Sequence, residues 1–309
     1  MNVPRAGVVV LDFGRPDDAA RAAASARAAD PDVRVLIVEN GAPGHKPSDR
    51  DHLRLGENRG FGGGMNAGLR QLVSEGCDPI LLLNNDAVLE PGALRRLTHA
   101  LADPALGAVG PVILRDSDGR VESRGVGVDL RLGRVRLLGH GETIGLVAGL
   151  VPVSALSGAV MMASRLALER VGLLDEDYFF SFEDVDWCLR ARAAGFGLAV
   201  VLDARAHHAG SRTIGRTSPN RFYFAARNHA RFLQKHRASA WGTGWVPYAV
   251  AAGLNLAHAL AQADSPRLRA ARAVLDGLRD ARRGRFGPRH AAGRGELPER
   301  AATIPPGGP

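Results

Sequence analysis

Apolar residues in this chain recur in two patterns: short continuous runs, and longer stretches where they return at helical spacing. Val8-Val9-Val10-Leu11 is a continuous run and predicts a buried strand. Pro16 to Ala29 is rich in Ala with Pro in the first turn, which predicts a helix. Val33 to Val38 predicts a second strand and His52 to Leu55 a third. A Gly-rich turn, Asn58 to Gly64, leads into a helix expected from Gly64 to Ser74. Ile80-Leu81-Leu82-Leu83 is the fourth strand, and Pro91 is expected to open the next helix. Apolar strands that alternate with helices predict an α/β fold with a mostly parallel sheet flanked by helices.

The pattern changes after residue 108. Val109 to Leu138 holds short alternating runs broken by Gly and charge, which predict hairpins. Ser164 to Val171 and Asp184 to Ala194 are expected to be helical, Leu198 to Leu202 a strand, and Ser218 to His236 an amphipathic helix. Trp241 to Ala263 carries no charge and has Trp241, Trp245 and Tyr248 near one end; a basic helical segment, Pro266 to Arg283, follows. This pair suits lying on a membrane surface, with packing against the body as the alternative. From Gly284 onward Gly, Pro and Arg predict disorder. The expected organisation is a domain over 1–240 in two halves, one to about 115 and one from about 116. A helical extension over 241–283 and a disordered tail over 284–309 complete it.

Composition sharpens this picture at three points. The chain has 309 residues, 45% of them hydrophobic, enough for a full core. Its net charge is +8, and the segment from Asp264 to Pro309 holds ten Arg against five acids. A basic tail on a near-balanced body suggests an acidic partner such as phospholipid head groups or lipid-linked diphosphates, with a solvated arm as the alternative. The basic residues lack interleaved aromatics, which argues against nucleic acid. Two cysteines, Cys77 and Cys188, form no framework and point to a reducing compartment. No run is long and apolar enough to span a bilayer and none reads as a signal peptide, so a cytoplasmic protein is expected, peripheral on the inner face of the cytoplasmic membrane.

Ligands of open α/β sheets bind at the carboxyl ends of strands, and the polar signals fall there. Strand two ends in Glu39-Asn40-Gly41 and strand four in Asn84-Asn85-Asp86. A hard cation bridging two phosphates needs oxygen ligands from a rigid strand end, which suits Asp86, although Asn-Asn-Asp is also good turn chemistry. The Gly-rich turn can bring backbone N–H groups close to an anion, and Gly62-x-Gly64-x-x-Ala67 is a weak dinucleotide fingerprint. Phe179 to Trp187 sets Glu183, Asp184 and Asp186 at a helix start after an aromatic run. Ser181 and Asp184 have capping-box spacing, and buried carboxylates there could include a general base. His207 and His208 follow the late strand, and either imidazole could complete a metal site with Asp86. Ser211-Arg212-Thr213 offers hydroxyls and a cation for phosphate.

Taken in order, these motifs resemble the family 2 inverting glycosyltransferases of GT-A fold, in their rhamnosyltransferase-like and galactofuranosyltransferase-like branch. The resemblance runs from about Ala6 to His236 and has a weaker echo over Ala271 to Gly287. It implies an enzyme, a hexosyltransferase, with a Rossmann-like sheet, a nucleotide-sugar half to about residue 115 and an acceptor-side half from about 116. It implies nucleotide-sugar binding by Glu39, Asn40, Asn58, Gly60, Asn66, Asn84, Asn85 and Asp86. Asn84 stands where a D-x-D motif has its first acid. The resemblance makes Asp184 the base, with Glu183 beside it, and puts Asp186 and Trp187 on the acceptor side. It makes Asp86 and His208, or alternatively His207, the ligands of a divalent metal, Mg²⁺ or Mn²⁺. It implies a single displacement with inversion, dTDP-rhamnose as the first expected donor, and a glycan or polyprenyl-diphosphate-linked acceptor. A nucleotidyltransferase and a catalytically silent sugar-binding protein are the competing readings.

Overall fold

The structure is a computed structural model that describes residues 5–41, 49–145, 147–210, 217–237, 245–262 and 267–289. In chain order, β1 (Gly7–Asp12), α1 (Pro16–Ala29), β2 (Arg34–Asn40), β3 (His52–Leu55), α2 (Gly60–Ser74) and β4 (Ile80–Asn84) form the first half. A short β5 (Ala87–Leu89), α3 (Ala93–Ala100) and a long β6 (Leu106–Arg115) follow. Then come β7 (Val121–Ser123), β8 (Val126–Asp129), β9 (Arg134–Leu137), β10 (Leu150–Pro152), β11 (Val160–Ala163) and α4 (Arg165–Val171). A 3₁₀ turn (Glu176–Tyr178), α5 (Glu183–Ala193), β12 (Gly197–His208), α6 (Pro219–Arg237), α7 (Val246–Gln262) and α8 (Arg267–Arg282) complete the described chain.

The main sheet runs β10-β12-β6-β11-β4-β1-β2-β3. β3, β2, β1 and β4 are mutually parallel, as are β6 and β12, while β11 is antiparallel to both its neighbours. Period-two alternation divides β1 between two cores. Val8 and Val10 join the face covered by α1 and α3, and Val9 and Leu11 the face covered by α2 and α5. Burial of both faces explains why the strands read as unbroken apolar runs. α1 buries Ala19, Ala22, Ala23, Ala26 and Ala29, and these small side chains let its backbone approach the sheet closely.

Several expectations are corrected. The Gly-rich stretch is the first turn of α2 from Gly60 rather than a loop, because the glycines face crowded neighbours. A Cβ at Gly64 would lie 2.5 Å from Leu11 Cδ1, and one at Gly68 2.5 Å from Val9 Cγ1. The dinucleotide fingerprint therefore lies inside a helix that follows β3, not in the turn after the first strand. α3 starts at Ala93 after Gly92, whose φ of 78° ends the preceding turn, so Pro91 lies outside it. The segment expected as hairpins does hold two antiparallel pairs, β6–β7 and the separate β8–β9, but the first is led by a ten-residue strand that begins ahead of it at Leu106. β12 runs through His208, with a register shift between Val201 and Arg205. The capping box does not form: Phe182 is the N-cap of α5, with no side-chain cap.

α7 and α8 pack on α6, where Phe222, Tyr223, Phe224, Ala226, Ala259, Ala270, Ala273 and Val274 form a third core. One face of the extension is thus part of the body, and no described helix is long and apolar enough to cross a membrane. Trp241, the Ser211-Arg212-Thr213 segment and the tail from residue 290 lie outside the described residues.

Candidate nucleotide-sugar and catalytic site

One strand pairing brings Asp86 and His208 together. Asn84 ends β4, Asn85 and Asp86 make the turn into β5, and β5 pairs antiparallel with β12 so that Ala87 faces His208. The Ala209 amide donates to Asp86 O at 3.0 Å. His208 Nε2 then lies 3.1 Å from Asp86 Oδ1, an approach too oblique for an aligned hydrogen bond. On the ring's other edge, Nδ1 lies 3.0 Å from both Glu122 oxygens. Burial alone would lower the His208 pKa, but the two carboxylates carry it up to about 9. Strand alternation sends His207 to the opposite side, where Nε2 meets Glu90 Oε1 at 2.9 Å. Of the two candidate histidines, His208 is the one beside Asp86.

The neighbouring asparagines are buried or half-buried. The Asn84 amide donates to Ala159 O at 2.9 Å, while its side-chain Oδ1 is buried without a hydrogen-bond partner among the described residues. Asn85 Nδ2 donates to Asp12 Oδ1 at 3.3 Å. Asp12 ends β1 and accepts the Arg15 amide; burial outweighs these bonds and raises its pKa.

Asp184 reaches this region through the same segment. Its Oδ2 accepts the Gly158 amide at 2.7 Å and its Oδ1 the Val185 amide at 2.8 Å, one residue before the Ala159 carbonyl that holds Asn84. The loop ahead of α5 is strained: Phe179, Ser181 and Phe182 have φ of 63°, 74° and 78°. Such conformations cost about 1–3 kcal/mol each without surrounding support. α6 supplies that support. Asn228 Nδ2 donates to Tyr178 O, Phe180 O and Ser181 O at 2.8, 2.6 and 2.9 Å, and Arg227 Nη2 to Tyr178 O at 2.8 Å. The Phe61 amide donates to Phe179 O at 2.6 Å, and a Cβ at Gly60 would overlap that oxygen. The end of the described chain joins the same ring: Gly287 N donates to Asp177 O at 2.8 Å, and Arg227 Nη1 to Gly287 O at 2.6 Å.

Burial raises the pKa of both Glu183 and Asp184, and their proximity adds to it for Glu183. Glu183 Oε2 has no hydrogen-bond partner, whereas Asp184 accepts amides on both oxygens. The negative charge therefore rests on Asp184 and the proton on Glu183.

Asp186 and Trp187, expected on the acceptor side, are spent on the protein itself. Asp186 is fully buried and meets Arg190 Nε, Lys235 Nζ and His236 Nε2, each at 2.8 Å, and Tyr178 Oη at 3.3 Å. Burial would raise its pKa, but these partners hold it well below the usual carboxylate range. Trp187 is fully buried and donates Nε1 to Gly172 O at 2.7 Å. Three expected sugar-nucleotide residues are likewise engaged internally. Asn40 accepts the Arg59 amide and donates to Gly60 O, Asn58 accepts the Gly60 amide, and Asn66 bridges to Leu174 and Glu176. They fix the β2–α2 junction and tie α2 to the 3₁₀ turn. Glu39, next to last in β2, lies between His52 Nδ1 at 2.9 Å and Arg54 Nε at 3.0 Å.

Glu122, Asp12 and Gly158 join the site without having been expected there. Glu122 sits in an ordinary Val-Glu-Ser strand, and nothing local in the sequence ties it to a histidine 86 positions later. Among the described residues no three His, Cys, Asp or Glu side chains form a cluster able to hold a metal ion. The Asp86–His208 pair nevertheless fits a hard divalent cation, because Asp86 Oδ1 faces His208 Nε2, a buried ring nitrogen to which no described residue offers an aligned hydrogen bond.

Comparison with known proteins gives this arrangement a family. Residues 8–234 match the family described as Glycosyltransferase like family 2. A dTDP-rhamnosyl transferase of Shigella flexneri is 26% identical over 195 residues, 59% of this chain and 62% of that protein, so this chain spans under two thirds of its length. An N-acetylglucosaminyl-diphospho-decaprenol L-rhamnosyltransferase of Mycobacterium tuberculosis is 29% identical over 238 residues, 68% of this chain and 76% of that protein. Among solved structures, a mannosyltransferase from Pyrobaculum calidifontis in complex with GDP-Man and Mn²⁺ superposes with a TM-score of 0.54 at 17% identity, covering 91% of this chain and 83% of that one. That likeness bears on the fold, which is of the expected GT-A type. The match across residues 8–234 places the chain in glycosyltransferase family 2.

Proposed function

We propose that this protein transfers a sugar, with inversion, from a nucleotide-sugar to an acceptor hydroxyl. dTDP-rhamnose is the first candidate donor, and a lipid-linked cell-envelope glycan the candidate acceptor. The observation that carries this reading is the run Gly158-Ala159, which binds Asp184 through one residue and Asn84 through the next. A base and a diphosphate-facing strand end are thereby held in one rigid frame, as a single displacement requires.

In this mechanism the Asp184 carboxylate accepts the acceptor hydroxyl proton as that oxygen bonds to the anomeric carbon. The anomeric C–O bond breaks, and its electron pair leaves with the nucleoside diphosphate. The Gly158 and Val185 amides aim Asp184 and favour its ionised form, and protonated Glu183 avoids a second buried charge beside it. Asp86 and His208 would hold a divalent cation, Mg²⁺ or Mn²⁺, which would neutralise the leaving diphosphate. Glu39, near the end of β2, is the candidate contact to the nucleoside. The relatives named for dTDP-rhamnosyl transfer and for a decaprenol-linked substrate support the choice of donor and acceptor.

The extension is the proposed membrane contact, within 241–283. Its outward faces expose Trp245, Val246 and Leu254 on or beside α7, and Leu268 and Leu275 on α8 with Arg272 and Arg279 between and after them. Apolar side chains among arginines suit an anionic lipid surface, in keeping with a peripheral protein on the inner membrane face.

A calorimetric donor screen tests the central reading. dTDP- and UDP-sugars are titrated with and without Mn²⁺ or Mg²⁺ into the wild type and Asp86→Ala. Metal-dependent binding of one nucleotide, lost in Asp86→Ala, is expected. No binding of any nucleotide-sugar would sink the proposal.

A further inference from the structure

His208 stands between two carboxylates that address different ring nitrogens. Asp86 is on the Nε2 edge and Glu122 on the Nδ1 edge, equidistant from Nδ1 through both oxygens at 3.0 Å. Glu122 is aimed there by its backbone. β7 pairs with β6 through Ile113 opposite Ser123 and Leu114 opposite Val121, so Glu122 is the extra residue of a bulge. Its flanking side chains, Val121 and Ser123, are buried. Bulges turn a side chain away from the regular alternation and recur beside active sites. His140 Nδ1, 2.9 Å from Glu122 O, braces the bulged backbone.

An imidazole can ligate a cation only through the nitrogen whose lone pair is free, so its single proton must sit on the other nitrogen. A carboxylate facing Nδ1 keeps a proton there and fixes the plane of the ring, so that a cation at Nε2 takes the place of the proton on that nitrogen alone. Glu122 lies across the ring from Asp86, so it is not a third ligand to the same cation.

We propose that Glu122 is a positioning residue: it holds His208 with the proton on Nδ1, leaving Nε2 directed with Asp86 at a divalent cation. This rests on the Asp86–His208 reading above.

The test is Mn²⁺ binding to the full chain, followed by the EPR signal of free and bound ion, in wild type, Glu122→Ala, Glu122→Gln and Asp86→Ala. Thermal melts confirm folding. Glu122→Ala should weaken Mn²⁺ binding about ten- to a hundredfold. Glu122→Gln should recover part of the loss, because its amide oxygen still accepts from Nδ1. Asp86→Ala should abolish binding. Wild-type affinity in Glu122→Ala, with binding lost in Asp86→Ala, would overturn the positioning role and leave the metal reading intact. If Asp86→Ala matched the wild type, the metal reading would fall and this proposal with it. Should Glu122→Ala not fold, Glu122→Gln decides alone: a severalfold loss with an altered bound-ion spectrum supports the role, and no change overturns it.

Discussion

Asp184 Oδ2 accepts the Gly158 amide at 2.7 Å, and a Cβ at residue 158 would lie 3.0 Å from Asp184 Cβ. The carboxylate sits directly on the Gly158 backbone, with no room for a side chain at residue 158. Asp184→Asn keeps the shape and removes the proton acceptor. Turnover should fall by about two to four orders of magnitude, with donor affinity kept. Gly158→Ala should lower kcat without changing donor affinity, by displacing the carboxylate. Steady-state kinetics alongside calorimetry reads both, and near-normal turnover in Asp184→Asn would remove it from the mechanism.

Glu183 holds its proton to higher pH folded than unfolded. Stability from this group is therefore complete below the ordinary glutamate range and is lost as pH rises through the folded value. Glu183→Gln removes the titration. Its melting temperature should exceed that of the wild type, by a margin that widens from about pH 5 towards pH 8. A constant margin across that range would count against the assignment.

Asp186 titrates in the opposite sense. Its pKa is depressed, so its contribution is present above the ordinary aspartate range and is lost as acid drives the pH towards the folded value. Asp186→Asn leaves Arg190, Lys235 and His236 facing a neutral amide. It should cost about 3–5 kcal/mol at neutral pH in urea denaturation, and the gap to wild type should shrink in acid.

Asn228 is the main brace of the strained loop. Asn228→Ala releases the carbonyls of Tyr178, Phe180 and Ser181 together. A loss of about 1–3 kcal/mol of stability is expected, with a fall in kcat larger than any change in donor affinity. Stability lost with kcat intact would mean that the brace does not position Asp184.

Replacing Leu254, Leu268 and Leu275 by Ser should reduce sedimentation with anionic vesicles at low salt and leave transfer to a water-soluble acceptor unchanged. These side chains are already exposed, so the fold should tolerate the change. Unaltered sedimentation would show that the extension is not the lipid contact.

The alternation of apolar runs made the parallel half of the sheet legible, and His52–Leu55 and Pro16–Ala29 match the observed elements end to end. The Gly-rich segment was misleading because Gly usually marks turns. Here the glycines admit Leu11, Val9 and Asn40 against a helix, a tertiary demand with no local signature. Asp86 and His208 were legible as chemistry, but only the β5–β12 pairing separates His208 from His207. Asp186 reads like its acidic neighbours in sequence. What distinguishes it is Arg190, Lys235 and the His236 ring, the last two from α6, some fifty positions away. Glu122 was invisible, because a bulge depends on the partner strand.

The ring around the Asp177 carbonyl closes only when Gly287 arrives. During synthesis, every strand of the sheet leaves the ribosome well before that residue. In a nascent chain the sheet can therefore form while the turn just ahead of the strained loop still lacks its last fastening. The loop's support is thus completed by the last described helix and the turn after it, not by the sheet on which the site is laid out.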